Sequence, residues 1–248
     1  MRSKRLIRDF IPSCLLRVIK SLCYKLRGAI FSGNKYYCPV CEKGLSRFLT
    51  YENANTKMCP NCASLSRHRS VFLYLKTKKY LSKKNTKMLH FAPEYSLQKK
   101  FKSIFGKNYI STDIEHPDAM LHADITNMPL KKNSFDIIIC NHVLQEIRED
   151  VKAIGEMFRL LKRSGVAIIT IPINKRLNKT IEKEVNTDKE RAELYGYYGA
   201  IRIYGREFID RLKKAGFETM IIHPLKFFSK EEIKKHNLGK EKIYVCKK

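Results

Sequence analysis

The sequence predicts an α/β protein built on an open, mostly parallel β-sheet. Between residues 87 and 173, short apolar segments alternate with segments of helical spacing, which is the order of strand–helix–strand units. Asp113 ends the second apolar segment, about twenty residues after the first strand–helix turn, a spacing used to hold ribose hydroxyls. Asn141 and His142 end the third segment. We therefore expect these polar residues to face one crevice at the carboxyl edge of the sheet.

The individual elements follow from the same pattern. We predict parallel strands over residues 87–91, 108–112, 134–141 and 165–172, with a helix over 95–105 between the first two. The chain then predicts a helix over 206–215 that ends at Gly216, followed by strands over 217–223 and 242–246.

Four segments, 109–113, 124–129, 134–147 and 159–165, resemble in order and spacing the class I S-adenosylmethionine-dependent methyltransferases. The chain more closely resembles a branch whose first motif reads Leu-His-Phe-Ala-Pro-Glu, here residues 89–94, preceded by a four-cysteine knuckle. This resemblance covers roughly residues 36–246. It implies a Rossmann-like, seven-stranded methyltransferase sheet completed by an antiparallel C-terminal pair, with S-adenosylmethionine as the cofactor.

The resemblance also implies a set of cofactor contacts. Asp113 is expected to accept hydrogen bonds from the ribose diol, although capping of the next turn is an alternative role. Asp124 and Ile125 are expected to meet the adenine, with a turn-forming aspartate as the alternative. The cofactor-binding residues predicted in full are Phe91, Ala92, Glu94, Asp113, Ile114, Asp124, Ile125 and Asn141.

The first turn departs from the general class, because it contains no glycine. His90, Ala92, Pro93 and Glu94 stand where the usual pattern has an acid and three glycines. Such a turn is expected to hold its backbone farther from the ligand, so the methionine tail would use Glu94 or neighbouring backbone. His90 is expected to be a strand-end residue bonded to backbone, with direct cofactor contact as the alternative.

His142 is the predicted catalytic residue, because a titratable imidazole at the crevice could accept a proton from a hydroxyl acceptor. A role in shaping the cofactor site is equally open. Related sequences carry a second histidine four residues later, where this chain has Glu146. In the insertion 173–206, aromatic and guanidinium side chains suit recognition of sugars, bases or anions, and the predicted substrate residues are Tyr198, Arg202 and Tyr204.

A paired cysteine motif precedes the sheet. Cys38 and Cys41 form one Cys-x-x-Cys pair, Cys59 and Cys62 form another, and seventeen residues separate them. This spacing is typical of a tetrahedral zinc site, and four thiolates would leave no open coordination position. We therefore predict a structural zinc. Glu42 and Ala63 stand where glycine often follows the second cysteine, so some backbone strain is expected.

The composition describes a soluble globular chain of 248 residues with a net charge of +26. Lysine is spread along the chain, which leaves two readings open: a solvated surface, or attraction to nucleic acid or an anionic membrane. The other four cysteines lie singly in apolar stretches, as expected in a reducing compartment. No secretory signal and no membrane-spanning run is recognised. We predict a cytoplasmic protein, with peripheral attachment to the inner membrane face as a further possibility.

Three regions are expected: a basic amphipathic arm over residues 1–35, a zinc-binding knuckle over 36–75, and a methyltransferase domain over 76–248. In the arm, apolar residues recur at three- and four-residue spacing from Leu6 to Leu26, with a break expected at Pro12. The apolar stripe could pack on the catalytic domain or a second subunit, the reading we favour slightly, or lie on an anionic membrane.

Three functions compete. The leading hypothesis is methyl transfer to a hydroxyl-bearing small molecule or glycan precursor. The second is methylation of RNA, favoured by charge and knuckle, although Asn141-His142-Val143-Leu144 is not the signature of base-amino methylation. The third is a degenerate domain that binds anions without chemistry.

Overall fold

The structure is a computed structural model that describes residues 13–51, 53–82, 84–185 and 187–248. The predicted apolar positions before Pro12, and the break at Pro12 itself, lie outside the described residues. Within the described ranges, no helix combines the length and apolar content that crossing a membrane would require.

The strands, in chain order, are β1 (Ser32–Cys38), β2 (Lys43–Leu45), β3 (Leu49–Tyr51), β4 (Asn53–Met58), β5 (Met88–Phe91), β6 (Tyr109–Asp113), β7 (Leu121–His122), β8 (Phe135–Asn141), β9 (Leu161–Thr170), β10 (Glu218–Ile222) and β11 (Ile243–Lys247).

The helices are α1 (Ser13–Ile30), α2 (Ser66–Thr77), α3 (Tyr95–Phe105), α4 (Asp150–Leu160), α5 (Asp188–Tyr195), α6 (Phe208–Lys214), α7 (Pro224–Phe227) and α8 (Lys230–His236), with short 3₁₀ turns at Tyr80–Ser82, Gly106–Asn108 and Leu144–Glu146.

Seven strands form the central sheet in the order β10-β11-β9-β8-β5-β6-β7. The five strands from β9 to β7 in this order pair in parallel, whereas β11 pairs antiparallel with both β9 and β10. This arrangement confirms the predicted α/β, Rossmann-like, seven-stranded sheet and its antiparallel C-terminal pair. Helices α7 and α8 lie between the last two strands in the chain, and Gly216 takes a φ of +100° after α6.

Apolar side chains cover both faces of the sheet, which explains why its central strands read as continuous apolar runs. In β8, Ile137 and Ile139 belong to the core on one face, while Ile138 and Cys140 belong to the core on the other. The same alternation holds along β9. The sheet is therefore a rigid layer that fixes the positions of residues at its edges.

The cysteine segment packs on the first of these two cores. Its members Cys38, Val40, Leu45 and Phe48 are buried in one cluster with β5 and β8 residues such as Ile139. The segment contains two small antiparallel sheets, β1–β2 and β3–β4. The three predicted region boundaries remain predictions, since a shared core does not separate them.

Candidate functional site

A cavity of about 1140 Å³ opens at the carboxyl edge of the parallel strands. Strand register explains its position: Phe91 is paired with Thr112 on one side and Cys140 on the other, and Asn141 is paired with Thr170. The ends of β5, β6, β8 and β9 consequently lie side by side. All eight predicted cofactor-binding residues line this cavity: Phe91, Ala92, Glu94, Asp113, Ile114, Asp124, Ile125 and Asn141.

The first turn achieves a glycine-like backbone without glycine. Ala92 takes a φ of +44°, and its N–H donates to Thr112 O at 2.8 Å. Alanine can adopt this left-handed region at a cost of about 1–2 kcal/mol. The turn therefore remains tight, with a methyl group at a position where the general class has none.

Asp113 performs the capping role that was the alternative prediction, and it retains an acceptor for a ligand. Its Oδ1 accepts from the backbone N–H groups of Glu115 at 2.9 Å and His116 at 2.8 Å. Its Oδ2 has no hydrogen bond within the described part of the chain, and the residue lines the cavity. One carboxylate can thus hold the turn and still accept from a diol.

Asp124 likewise forms a turn, because its Oδ1 accepts from Thr126 N at 2.8 Å. Ile125 is buried and faces the cavity, whereas Ile114 is 65% exposed at its rim. These two isoleucines provide apolar surface at the cavity, Ile114 directly after β6 and Ile125 shortly after β7.

Four residues of the cavity wall carry buried polar atoms without a hydrogen-bond partner among the described residues: Arg67 Nε, Thr112 Oγ1, Asn141 Nδ2 and Gln145 Oε1. The Asn141 side chain is fixed on its other side, where Oδ1 accepts from Thr170 Oγ1 at 3.0 Å. Buried polar atoms are normally bonded, so unpaired ones at a cavity indicate a bound ligand or water. A polar ligand with both donors and acceptors, such as an adenosyl amino acid, fits this wall.

His142 lies at the cavity beside a carboxylate that the sequence prediction missed. Its Nε2 is 2.6 Å from Glu241 Oε1, and its φ is +54°. Burial tends to raise the pKa of Glu241, but His142 and the more distant charge of Arg67 outweigh it and the pKa is lowered. The ionised carboxylate orients the imidazole and selects the tautomer with the proton on Nε2.

Glu94 is held by two histidines. His90 Nε2 lies 2.9 Å from one oxygen and His68 Nε2 lies 3.2 Å from the other. Burial tends to raise the pKa of Glu94, but His68 and His90 lower it to about 2. His90 is fully buried, and its Nδ1 lies 2.9 Å from the Tyr109 hydroxyl. The prediction that the His90 side chain bonds to backbone is therefore wrong. Glu94 already contacts His68 and His90, so its predicted contact with the methionine tail would be an additional one.

The three predicted substrate residues lie in different environments. Tyr204 is fully buried, does not line the cavity, and donates to Asp150 Oδ2 at 2.6 Å; its prediction as a substrate contact is therefore wrong in this structure. Arg202 lines the cavity but is 3% exposed. Its guanidinium donates to the carbonyls of Ile147 at 2.5 Å and Arg148 at 2.8 Å and to Glu182. It therefore shapes the wall instead of presenting free donors.

Tyr198 is exposed and stacks against Tyr197, with ring centroids 4.4 Å apart. Tyr197 lines the cavity, whereas Tyr198 is not among its lining residues. The aromatic surface near the acceptor end therefore comes from this pair.

The four cysteines converge as predicted. Their Sγ atoms all lie within 4.8 Å of one another, with Cys38–Cys62 and Cys41–Cys59 each at 3.7 Å. Ligand sulfurs of a tetrahedral site with Zn–S bonds of about 2.3 Å are about 3.8 Å apart. The cluster has the size of such a site. Glu42 and Ala63 take φ values of +56° and +60°, so the expected strain after each pair is present.

Arg69 is a fully buried cation between this cluster and the C-terminal part of the chain. It donates to Ser64 O at 2.5 Å, His236 O at 2.7 Å and Asn237 O at 2.9 Å, and lies over the Phe48 ring at 4.0 Å. Its charge would partly offset the net negative charge of a metal held by four thiolates.

Glu241 is the main site residue that the sequence did not point to. A signal for Glu241 exists in the topology. Because β11 runs antiparallel to β9, with Ile243 opposite Thr170, the residues just before β11 reach the edge where the parallel strands end. Arg67 lines the cavity next to Leu65 and Thr56, so the cysteine segment contributes part of the wall.

Comparison with known proteins agrees with the fold. Residues 89–169 match the family model described as a methyltransferase domain. An uncharacterized protein of Methanocaldococcus jannaschii is 30% identical over 118 residues, which is 45% of this chain and 50% of that protein. The chain therefore spans about half the length of this curated relative.

Two solved structures are similar in shape. The [4+2]-cyclase SpnF shows a TM-score of 0.50 at 11% identity, covering 81% of this chain and 86% of that one. A possible histamine N-methyltransferase from Thermotoga maritima shows a TM-score of 0.46 at 17% identity, covering 71% and 88%. The first supports the fold alone. Over residues 89–169 the chain is therefore similar to a methyltransferase domain.

Proposed function

We propose that this protein transfers the methyl group of S-adenosylmethionine to a hydroxyl of a small molecule or glycan precursor. The observation that carries the proposal is the juxtaposition, in one cavity, of a diol-accepting carboxylate and a carboxylate-oriented imidazole. Asp113 ends β6, whereas Asn141, with its unpaired amide nitrogen, ends β8 and is followed directly by His142, which contacts Glu241.

The size of the cavity supports two ligands. Its volume of about 1140 Å³ exceeds the about 300–1,000 Å³ that usually holds one drug-sized molecule. The Tyr197–Tyr198 pair offers an aromatic surface on which a sugar or ring could stack.

The cofactor supplies an electrophilic methyl group on a sulfonium, and the chain supplies position and a proton acceptor. With Nε2–H donated to Glu241, the Nδ1 lone pair of His142 can accept the hydroxyl proton as the new O–C bond forms. The Glu241 carboxylate stabilises the resulting imidazolium. Glu241 thus acts as a positioning residue through His142.

A structural zinc at Cys38, Cys41, Cys59 and Cys62 is the second part of the proposal. The matching Sγ distances and the buried Arg69 support it. Four thiolate ligands leave no coordination position for substrate, so the ion would stabilise the segment that forms one wall of the cavity.

Calorimetry with S-adenosylmethionine tests cofactor binding. Asp113→Asn keeps an oxygen for the two turn N–H groups but exchanges the other acceptor for a donor. Loss of one charge-assisted hydrogen bond, about 1.5–3 kcal/mol, should weaken binding about 10- to 100-fold. Asp210→Ala, at an exposed position on α6, is the control. Unchanged affinity of Asp113→Asn would contradict the proposal.

Transfer from methyl-labelled S-adenosylmethionine into fractionated cell extract tests the acceptor. We expect label in a ribonuclease-resistant small-molecule or glycan fraction, and loss of that label with His142→Phe while cofactor binding persists. Ribonuclease-sensitive label would favour RNA instead. Absence of both binding and label would favour a degenerate domain.

A further inference from the structure

Helix α1 exposes its apolar side, whereas an ordinary surface helix buries it. Its aliphatic residues face outward: Val18, Ile19, Leu22, Leu26 and Ile30 are between 45 and 74% exposed. Positions 18, 22, 26 and 30 follow one another at four-residue spacing, which places them on one side of the helix. We call these five residues the α1 stripe.

The opposite side of α1 is the one that packs on the protein. Tyr24 stacks on Tyr95 of α3 with ring centroids 5.6 Å apart. Gly28 contacts Asn61 so closely that an added Cβ would lie 2.2 Å from Asn61 Oδ1. Of the two favoured locations of the stripe, packing on the catalytic domain is therefore wrong for these residues, because Tyr24 and Gly28 make the contact and the stripe stays exposed. Packing on a second subunit is not tested by these contacts.

The surroundings of the stripe are strongly basic. The α1 sequence contains Arg17, Lys20, Lys25 and Arg27 and no acidic residue. Lys25 also lines a second cavity, of about 620 Å³, together with Lys43, Lys99 and Lys100. An aliphatic surface bordered by cations matches the layered chemistry of an anionic membrane, with acyl chains beneath phosphate headgroups.

A second copy of this chain fits the stripe less well. Two α1 helices placed face to face would bring together two basic surfaces, on chains that each carry a net charge of +26. Nucleic acid would match the charge but offers no apolar layer for five aliphatic side chains.

We propose that the α1 stripe lies in the headgroup layer of an anionic phospholipid membrane, flat on the surface. Lysines around the second cavity, such as Lys25 and Lys99, meet the lipid phosphates. This attachment goes beyond the methyl-transfer proposal, because it concerns the exposed side of α1 and uses none of the residues assigned to transfer.

Co-sedimentation of the full chain with vesicles tests the proposal. Vesicles of phosphatidylcholine alone are compared with vesicles that contain equal parts of phosphatidylcholine and phosphatidylglycerol, at low and at about 0.5 M salt. We expect binding only to the anionic vesicles and weaker binding in high salt.

Leu22→Ser combined with Leu26→Ser should reduce vesicle binding at least tenfold. The matched control combines Met220→Ser with Leu225→Ser, which changes two side chains that are 46 and 47% exposed on β10 and α7. The control should bind vesicles like the wild type, and both pairs should retain cofactor binding by calorimetry.

Equal pelleting of the α1 variant and the wild type would overturn the proposal, as would failure of the wild type to bind anionic vesicles. If the wild type is dimeric by light scattering and the α1 variant is monomeric, without vesicle binding by either, the stripe is a subunit interface and the membrane proposal is wrong.

Discussion

Acid should weaken the fold through one buried histidine. His68 lies on α2 and is 4% exposed. Burial lowers its pKa from the usual 6.5 to about 4, despite the opposing attraction of the Glu94 carboxylate 3.2 Å away. In the unfolded chain the same imidazole takes up a proton near pH 6.5. Between pH 6.5 and 4 the unfolded state therefore binds more protons, and stability rises with pH.

The size of the effect follows from the two pKa values. The slope approaches about 1.4 kcal/mol per pH unit, so the whole window amounts to about 3 kcal/mol. The penalty is essentially absent above pH 7 and complete near pH 4. Glu94 acts in the same direction at lower pH, because its folded-state pKa is also lowered. A domain of ordinary stability, about 5–15 kcal/mol, would lose a visible fraction of it.

Urea unfolding at pH 7 and pH 5, followed by circular dichroism, measures this contribution. The wild type should lose about 2 kcal/mol more than His68→Gln over this interval, because glutamine does not titrate. His116→Gln, at an exposed position, should behave like the wild type. The comparison cancels any acid effect on the cysteines, which all three proteins share. Parallel losses in the wild type and His68→Gln would refute a neutral, buried His68.

Two further predictions concern the interior and the cysteine cluster. Asp150→Ala should lower the free energy of unfolding in urea by about 3–5 kcal/mol, because its buried carboxylate accepts from Tyr204 at 2.6 Å and Arg211 at 2.7 Å. The control Glu149→Ala, at an exposed position, should lower it little. A similar loss in both variants would contradict the argument. Elemental analysis should find one zinc ion per purified chain. Cys59→Ser should lose the metal and lower the unfolding midpoint, whereas Cys23→Ser, at an exposed position, should change neither. A metal-free wild type would contradict the zinc proposal.

The sheet could be predicted because its central strands are buried on both faces and therefore appear in the sequence as apolar runs. Asp113 and Asn141 could be placed at one edge because parallel strands end together, and no tertiary detail is needed for that inference. The cysteine cluster was equally visible, since paired Cys-x-x-Cys spacing limits how the thiols can converge.

Side chains whose partners lie far along the chain could not be placed in this way. Tyr204 and Arg202 have residue types that suit either a ligand surface or a buried bond, and their partners, Asp150 and the 147–148 carbonyls, lie more than fifty residues earlier. The outward orientation of the α1 stripe was also hidden, because helical periodicity shows that two faces differ but not which one packs. The contacts of Tyr24 with Tyr95 and of Gly28 with Asn61 decide it.

Arg69 has a consequence for how the chain is made. Its hydrogen bonds to His236 and Asn237 join positions 167 and 168 residues apart. At about 5–20 residues per second, a ribosome delivers the second partner roughly 10–30 s after the first. Until then the guanidinium has neither carbonyl to receive its protons, so the cysteine region cannot reach its final packing during early synthesis.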